Sequence, residues 1–161
     1  MKKILILTTG GTIDKVYFDA KSTYEVGEPN IKIVLGELDL SLDYAVRSLL
    51  KKDSLEITDQ DRSLILQAVV DAEEECILIT HGTDTMVQTA KFLAKAHGKT
   101  IVLTGALAPA LFKNTDALFN IGCALGAVQT LGPGVYIAMN GVIFPYDKVR
   151  KNLERNRFEE I

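Results

Sequence analysis

Two short stretches hold the residues best suited to chemistry: Thr8-Thr9-Gly10-Gly11-Thr12-Ile13-Asp14 and Thr80-His81-Gly82-Thr83-Asp84-Thr85. In each, a threonine follows directly on glycine. Adjacent glycines permit a sharp turn with positive φ and leave backbone N–H groups open to a ligand. Such N–H groups can stabilise an oxyanion, and a threonine hydroxyl becomes a nucleophile when a neighbour removes its proton. Thr12 and Thr83 are therefore candidate reacting hydroxyls. Neither stretch is the G-x-G-x-x-G of dinucleotide sites or a phosphate loop ending in Gly-Lys-Ser/Thr. Taken singly, each has a plainer reading. The first suits a strand-exit turn. The second suits a helix start, with Thr85 and Gln88 as a capping box and Asp84 complementing the helix dipole. His81 invites an acid–base role, yet no Asp–Ser relay accompanies it, and a satisfied buried histidine is the expectation. Neither His81 nor His97 has company spaced for a metal ion, so no metal and no cofactor is expected.

The elements that must position these residues alternate along the chain. Ile4–Thr8, Tyr44–Leu49, Cys76–Thr80, Thr100–Thr104 and Val135–Met139 are short, mostly apolar runs. That pattern suits strands buried on both faces of a parallel sheet. A helix is expected from Thr58, with Leu64, Ile65, Ala68, Val69 and Ala72 as its buried stripe. A second runs from Thr85 towards Gly98. A third opens at Asn114 or Thr115, with Ala117, Leu118, Ile121, Ala124, Leu125 and Val128 on one side. Asn140-Gly141 signals a type I′ turn and an antiparallel hairpin with Val142–Phe144. The whole predicts an α/β fold: an open, mostly parallel sheet with helices on both faces and a C-terminal antiparallel hairpin. Ligands of such sheets sit beyond the carboxyl ends of the strands, where both threonine motifs fall.

Length and composition bound the rest. The 161 residues suggest one domain spanning 1–161. Net charge is −3, from 18 basic and 21 acidic residues. This leaves no electrostatic footprint for nucleic acid or an anionic membrane. The apolar run Ile4–Leu7 is too short for the roughly 7–15 residues of a signal-peptide core, and nothing approaches the ~20 apolar residues of a membrane span. Cys76 and Cys123 lie in or beside apolar runs, read as buried free thiols, and point to the cytoplasm.

Taken together, the two motifs resemble the bacterial-type L-asparaginase family, in which T-G-G-T-I and H-G-T-D-T signatures mark two catalytic threonines. Weaker matches continue along the chain. Lys21-Ser22-Thr23-Tyr24-Glu25-Val26-Gly27 resembles the family's mobile segment, which points to Tyr24. Lys52-Asp53-Ser54-Leu55-Glu56-Ile57-Thr58 resembles its D-S-S-D-M-T segment, which points to Asp53 and Ser54. Leu103-Thr104-Gly105-Ala106, with Asp116 and Asn120, resembles its G-A-x-R-P…D…N stretch. Asn140-Gly141…Asp147-Lys148-Val149-Arg150-Lys151 resembles N-D…R-D-V-x-K, which points to Lys151; Lys148 is a rival, in a segment expected to be a charged C-terminal helix.

The resemblance implies a Rossmann/flavodoxin-like domain that hydrolyses the side-chain amide of L-asparagine. A side activity on glutamine and a homodimeric or homotetrameric assembly are further implications. The resemblance casts Thr12 as the nucleophile and Tyr24 as its activator on a flexible lid; the residues themselves equally allow Thr83 to form the covalent intermediate, or one threonine to orient water. Thr83, Asp84 and Lys151 would form a second catalytic group. Gly11, Asp53, Ser54, Gly82 and Ala106 would bind substrate. Only the family's N-terminal domain is matched, and its full-length members complete the site from a neighbouring subunit's C-terminal domain, so weaker binding is expected. Leu55, Ala108 and Asp14 depart from the family's polar residue, arginine and small residue. Two other readings share the motifs: a non-catalytic module binding an amino acid or a partner, and the ammonia-supplying component of a tRNA-dependent amidotransferase.

Overall fold

The computed structural model describes residues 2–161; Met1, first residue of the expected domain, lies outside the described residues. Strands β1 (Ile4–Gly10), β4 (Tyr44–Lys52), β5 (Cys76–Thr80), β6 (Thr100–Thr104), β7 (Gly134–Met139) and β8 (Val142–Pro145) form one sheet in the order β4-β1-β5-β6-β7-β8. The first five are parallel and β8 runs antiparallel to β7. Counting only the parallel strands in chain order gives 2-1-3-4-5, the flavodoxin-like winding. Asn140 and Gly141 both take positive φ, 54° and 77°, as the expected type I′ turn requires.

Alternate residues of each central strand face opposite layers. Leu5, Leu7, Ile77, Ile79, Ile101 and Leu103 pack with α2 (Asp59–Asp71) and α3 (Met86–Leu93). Ile4, Ile6, Leu78 and Val102 pack with α1 (Asn30–Gly36) and α4 (Ala117–Thr130). Complete burial of an aliphatic side chain contributes about 1.5–3 kcal/mol, so this double-faced sheet is the rigid platform of the molecule. Thr58 caps α2 in a capping box with Asp61. The stripe of α2 is narrower than expected, since Ile65 and Val69 are buried but Leu64 is exposed. Likewise Leu118 of α4 is exposed while Ile121, Ala124, Leu125 and Val128 face the sheet. α1 was not anticipated from sequence; it presents Ile31 and Leu35, one turn apart, to the core.

Two small hairpins flank the sheet. β2 (Lys15–Phe18) pairs with β3 (Thr23–Val26), directly after the first glycine turn. β9 (Val149–Asn152) pairs with β10 (Arg157–Glu160), and Phe158 is wholly buried against the α2/α3 layer. This second hairpin overturns the expected C-terminal helix. Its period is two: Val149 and Lys151 lie on one face. Asn152 accepts from the Arg155 amide, and Asn156 takes φ 45°, which turns the chain back.

Candidate active site

The parallel winding reverses between β1 and β5, and at such a switch point a crevice opens beyond the carboxyl ends of the strands. Thr8 of β1 and Thr80 of β5 are register partners, so the two glycine turns that follow leave the sheet side by side. Gly10 and Gly11 take φ of 100° and 88°. A methyl group on Gly11 would fall 2.5 Å from the Cα and N of Gly82. On Gly82 it would fall 2.5 Å from Ser54 Cβ and 2.8 Å from Ser54 Oγ. The two turns and the Ser54 turn are thus in backbone contact, which only glycine at both positions allows. Thr12 opens the short 3-10 turn Thr12–Asp14 and remains half-exposed; Thr83 and Ser54 are buried.

At Thr83 the geometry is specific. Lys151 Nζ donates to Thr83 Oγ1 at 2.8 Å and to Asp84 Oδ1 at 2.6 Å. The lysine side chain is 9% exposed, so this ion pair is sheltered on the lysine side. Lys148 is exposed on the surface. Lys151 gets there because β9 points it inward beside buried Val149. The β9–β10 hairpin is tied to the β7–β8 turn by Asn140 Oδ1, which accepts the Phe158 amide at 2.7 Å.

Asp53 accepts from the Leu55 amide at 3.1 Å and pairs with Lys15 at 3.0 Å. Partial burial works against its ionisation, but the Leu55 N–H and the Lys15 ammonium outweigh it and hold the carboxyl below its ordinary range. Thr85 departs from the expected capping box. Its hydroxyl donates to the Ser54 carbonyl at 2.7 Å, and no side chain caps α3. The bond joins the α3 entrance to the Ser54 turn, a long-range use that local spacing does not reveal. Ala106 is buried in a loop held by Asp116, whose carboxylate accepts the Leu107 and Ala108 amides at 3.0–3.1 Å. Asn120 donates to the Gly105 carbonyl at 2.9 Å. Asp116 and Asn120 therefore hold backbone.

Tyr24 sits on β3, half-exposed, opposite Tyr17 of β2. Its ring meets Tyr17 and Phe112 edge-on, with centroids 5.4 and 5.6 Å apart. No hydrogen bond joins Tyr24 to Thr12. Tyr24, Lys15, Lys51, Asp53 and Glu56 line a cleft of about 370 Å³ between the hairpin and the Asp53 turn. At the hairpin's base, the buried Asp14 carboxylate accepts the Asn30 amide at 2.8 Å, and the Asp14 carbonyl accepts the Gly27 amide at 2.8 Å. Burial pushes the Asp14 carboxyl up to about 7, opposed by the Asn30 N–H and helped by nearby Glu28. Lys15 and Asp14 were not marked as site residues from sequence; the turn-plus-hairpin context that gives them work is tertiary.

Neither threonine motif is isolated: fold and site define a flavodoxin-like α/β domain with two glycine-flanked threonines at its switch point. The chain belongs to the asparaginase family, and the family model "Asparaginase, N-terminal" matches residues 3–159. It is 32% identical over 167 residues to the L-asparaginase of Thermococcus kodakarensis, covering 99% of this chain and 51% of that protein. It is 29% identical over 157 residues to a glutaminase-asparaginase of Pseudomonas fluorescens biotype A, covering 89% and 43%. The solved thermostable L-asparaginase from Thermococcus kodakarensis superposes with a TM-score of 0.86 at 32% identity, covering 99% of this chain and 51% of that one. The chain spans about half the length of the curated relatives it matches. Among the described residues, no helix is long and apolar enough to cross a membrane.

Proposed function

We propose that the chain hydrolyses the side-chain amide of L-asparagine to L-aspartate and ammonia, with L-glutamine as a slower substrate. The observation that carries this reading is the Lys151–Thr83–Asp84 cluster, with Lys151 Nζ 2.8 Å from Thr83 Oγ1 and 2.6 Å from Asp84 Oδ1. Thr12 attacks the amide carbonyl as Tyr24, with the β2–β3 hairpin closed, takes its proton. That proton passes to the amide nitrogen, the C–N bond breaks, ammonia leaves and the aspartyl group remains as an ester on Thr12. The N–H groups of the glycine turns receive the oxyanion. Lys151 and Thr83 then deliver the water that releases aspartate. Ser54 and Gly82 hold the α-carboxylate, Asp53 and Asp84 face the α-ammonium, and Gly11 and Ala106 shape the wall. The names of the relatives, L-asparaginase and glutaminase-asparaginase, support asparagine first and glutamine second.

Ammonia release from asparagine, glutamine and short peptides tests the reading. Wild type should turn over asparagine fastest, and Thr12→Ala and Thr83→Ala should each lose about 10²–10⁴-fold in kcat, the range of a lost proton-transfer or nucleophilic group. Equal, slow release by all three proteins would sink it. We further propose that the chain acts in the cytoplasm as a homodimer or homotetramer. The unpaired Cys76 and Cys123 fit a reducing compartment. Exposed Leu118, Phe119 and Val142 supply apolar surface for a second copy to cover. Light scattering that returns a monomer across micromolar concentrations would refute the assembly.

A further inference from the structure

His81 is fully buried and uses both ring nitrogens inside the protein. Its Nδ1 lies 2.7 Å from the Gly82 carbonyl oxygen, and its Nε2 lies 2.8 Å from Thr89 Oγ1. The same Thr89 oxygen accepts from Arg62 Nε at 3.1 Å. Arg62 is itself buried on α2 and pairs with Asp59 at 3.0 Å. Donor roles follow by elimination. A carbonyl only accepts, so Nδ1 carries the hydrogen. Burial, offset in part by the Gly82 carbonyl and reinforced by the Arg62 charge, holds the ring's pKa down at about 4. The ring is therefore neutral, Nε2 is bare, and the Thr89 hydroxyl donates to it. Arg62 fills the Thr89 lone pair. One proton arrangement satisfies every partner, and it runs in a single direction, from Arg62 to the Gly82 carbonyl.

The end of that chain is the peptide between Gly82 and Thr83. In a trans peptide the C=O and the next N–H point opposite ways, so fixing the Gly82 oxygen fixes the direction of the Thr83 N–H. Gly82 has no slack of its own, being pressed against Ser54 on one side and Gly11 on the other. A side chain on Gly105 would collide with the His81 carbonyl, so the Ala106 loop abuts the same residue. We infer that His81 is a positioning residue: braced by Thr89 and Arg62, it pins the Gly82 carbonyl and thereby aims the Thr83 N–H and hydroxyl at the scissile amide. It transfers no proton to substrate, since neither nitrogen reaches the crevice. The inference rests on the amidohydrolase reading of the site.

Two variants separate positioning from bulk. His81→Asn sets its amide nitrogen near the place of Nδ1 and keeps the donor to Gly82. His81→Gln sets its amide near the place of Nε2 and keeps only the Thr89 partner. His81→Gln should lower kcat on asparagine by about 10–100-fold, the scale of an ångström-sized misplacement, with KM little changed. His81→Asn should restore most of that kcat even where its thermal midpoint is no higher. If kcat merely tracks the midpoint in both variants, His81 is only core and the inference falls. A readout independent of turnover is the ring tautomer in the wild-type protein, from long-range ¹H–¹⁵N spectra; with two histidines in the chain, assignment is direct. A neutral Nδ1–H ring across about pH 5–8 is expected, and an Nε2–H or protonated ring overturns the chain of bonds. If wild type releases no ammonia, the amidohydrolase reading is lost on its own account. The tautomer, and a Thr83 amide shift that moves in His81→Gln but not in His81→Asn, then decide whether His81 pins this peptide.

Discussion

Lys151 carries more at the residue scale than its neighbours suggest. Its ammonium bridges a hydroxyl and a carboxylate while nearly enclosed, whereas Lys148, three residues earlier, is exposed to solvent. Lys151→Met should therefore cut kcat by about 10²–10⁴-fold, and Lys148→Met should leave it within about twofold, as solvated surface charges usually do. Steady-state ammonia release from the two variants checks this; equal losses would disconnect Lys151 from turnover. The threonines were legible in sequence because glycine before a hydroxyl is a backbone statement, readable from two adjacent letters. Lys151 was legible only through a motif, and its setting was misread. Four charged residues between Lys148 and Arg157 disguise a two-residue period that Val149 and Phe158 anchor. Thr85 reaches a partner 31 residues away, and Arg62, besides its local pair with Asp59, reaches one 27 residues away, so no local pattern announces these links.

The β2–β3 hairpin is the element on which the proposed chemistry depends. It is tied at its base through Asp14 and rests further out on an aromatic contact, Tyr24 against Phe112. An edge-to-face pair is worth about 0.5–1.5 kcal/mol, enough to bias a lid and too little to lock it. Tyr24→Phe keeps both ring contacts and removes the hydroxyl, so kcat should fall by about 10²-fold or more with an unchanged urea midpoint. Phe112→Ala keeps the hydroxyl and removes the rest, so the loss should be smaller, roughly the 2–10-fold that such a contact energy permits. Wild-type turnover in Tyr24→Phe would take that residue out of the mechanism. Strands β1, β5, β6 and β7 were plain from their continuous apolarity, and the Asn140-Gly141 turn from its dipeptide. α1 escaped notice because its seven residues offer only Ile31 and Leu35 as a one-turn repeat.

For the molecule as a whole, two buried titratable groups impose opposite responses to pH. Asp14 retains its proton up to about 7 in the fold, against an ordinary value of 3.8. Between those values the folded protein holds a proton that the unfolded chain has released, so Asp14 makes stability fall as pH rises. His81 resists protonation down to about 4, against 6.5. There the unfolded chain holds the extra proton, so His81 makes stability rise with pH up to about 6.5. The two slopes overlap and largely cancel. Asp14→Asn keeps an acceptor for the Asn30 amide and removes the charge. Its stability advantage over wild type should grow from near zero at pH 4 to about 4 kcal/mol at most by pH 7, then level off. Urea titrations at a series of pH values would show this as diverging curves; parallel curves would mean that Asp14 ionises freely. Sequence marked Asp14 as out of pattern but could not register its burial, which the α1 entrance and the hairpin base create together. The strand order has a last consequence, for solubility. Among the described residues, β4 and β8 end the sheet and leave backbone donors and acceptors that another chain could join, the usual seed of aggregation. β4 carries exposed Arg47 and Lys51 along that rim, and β8 closes on Pro145, which has no N–H to offer. Both margins therefore disfavour an intruding strand, while the carboxyl rim that carries the two threonine turns stays open.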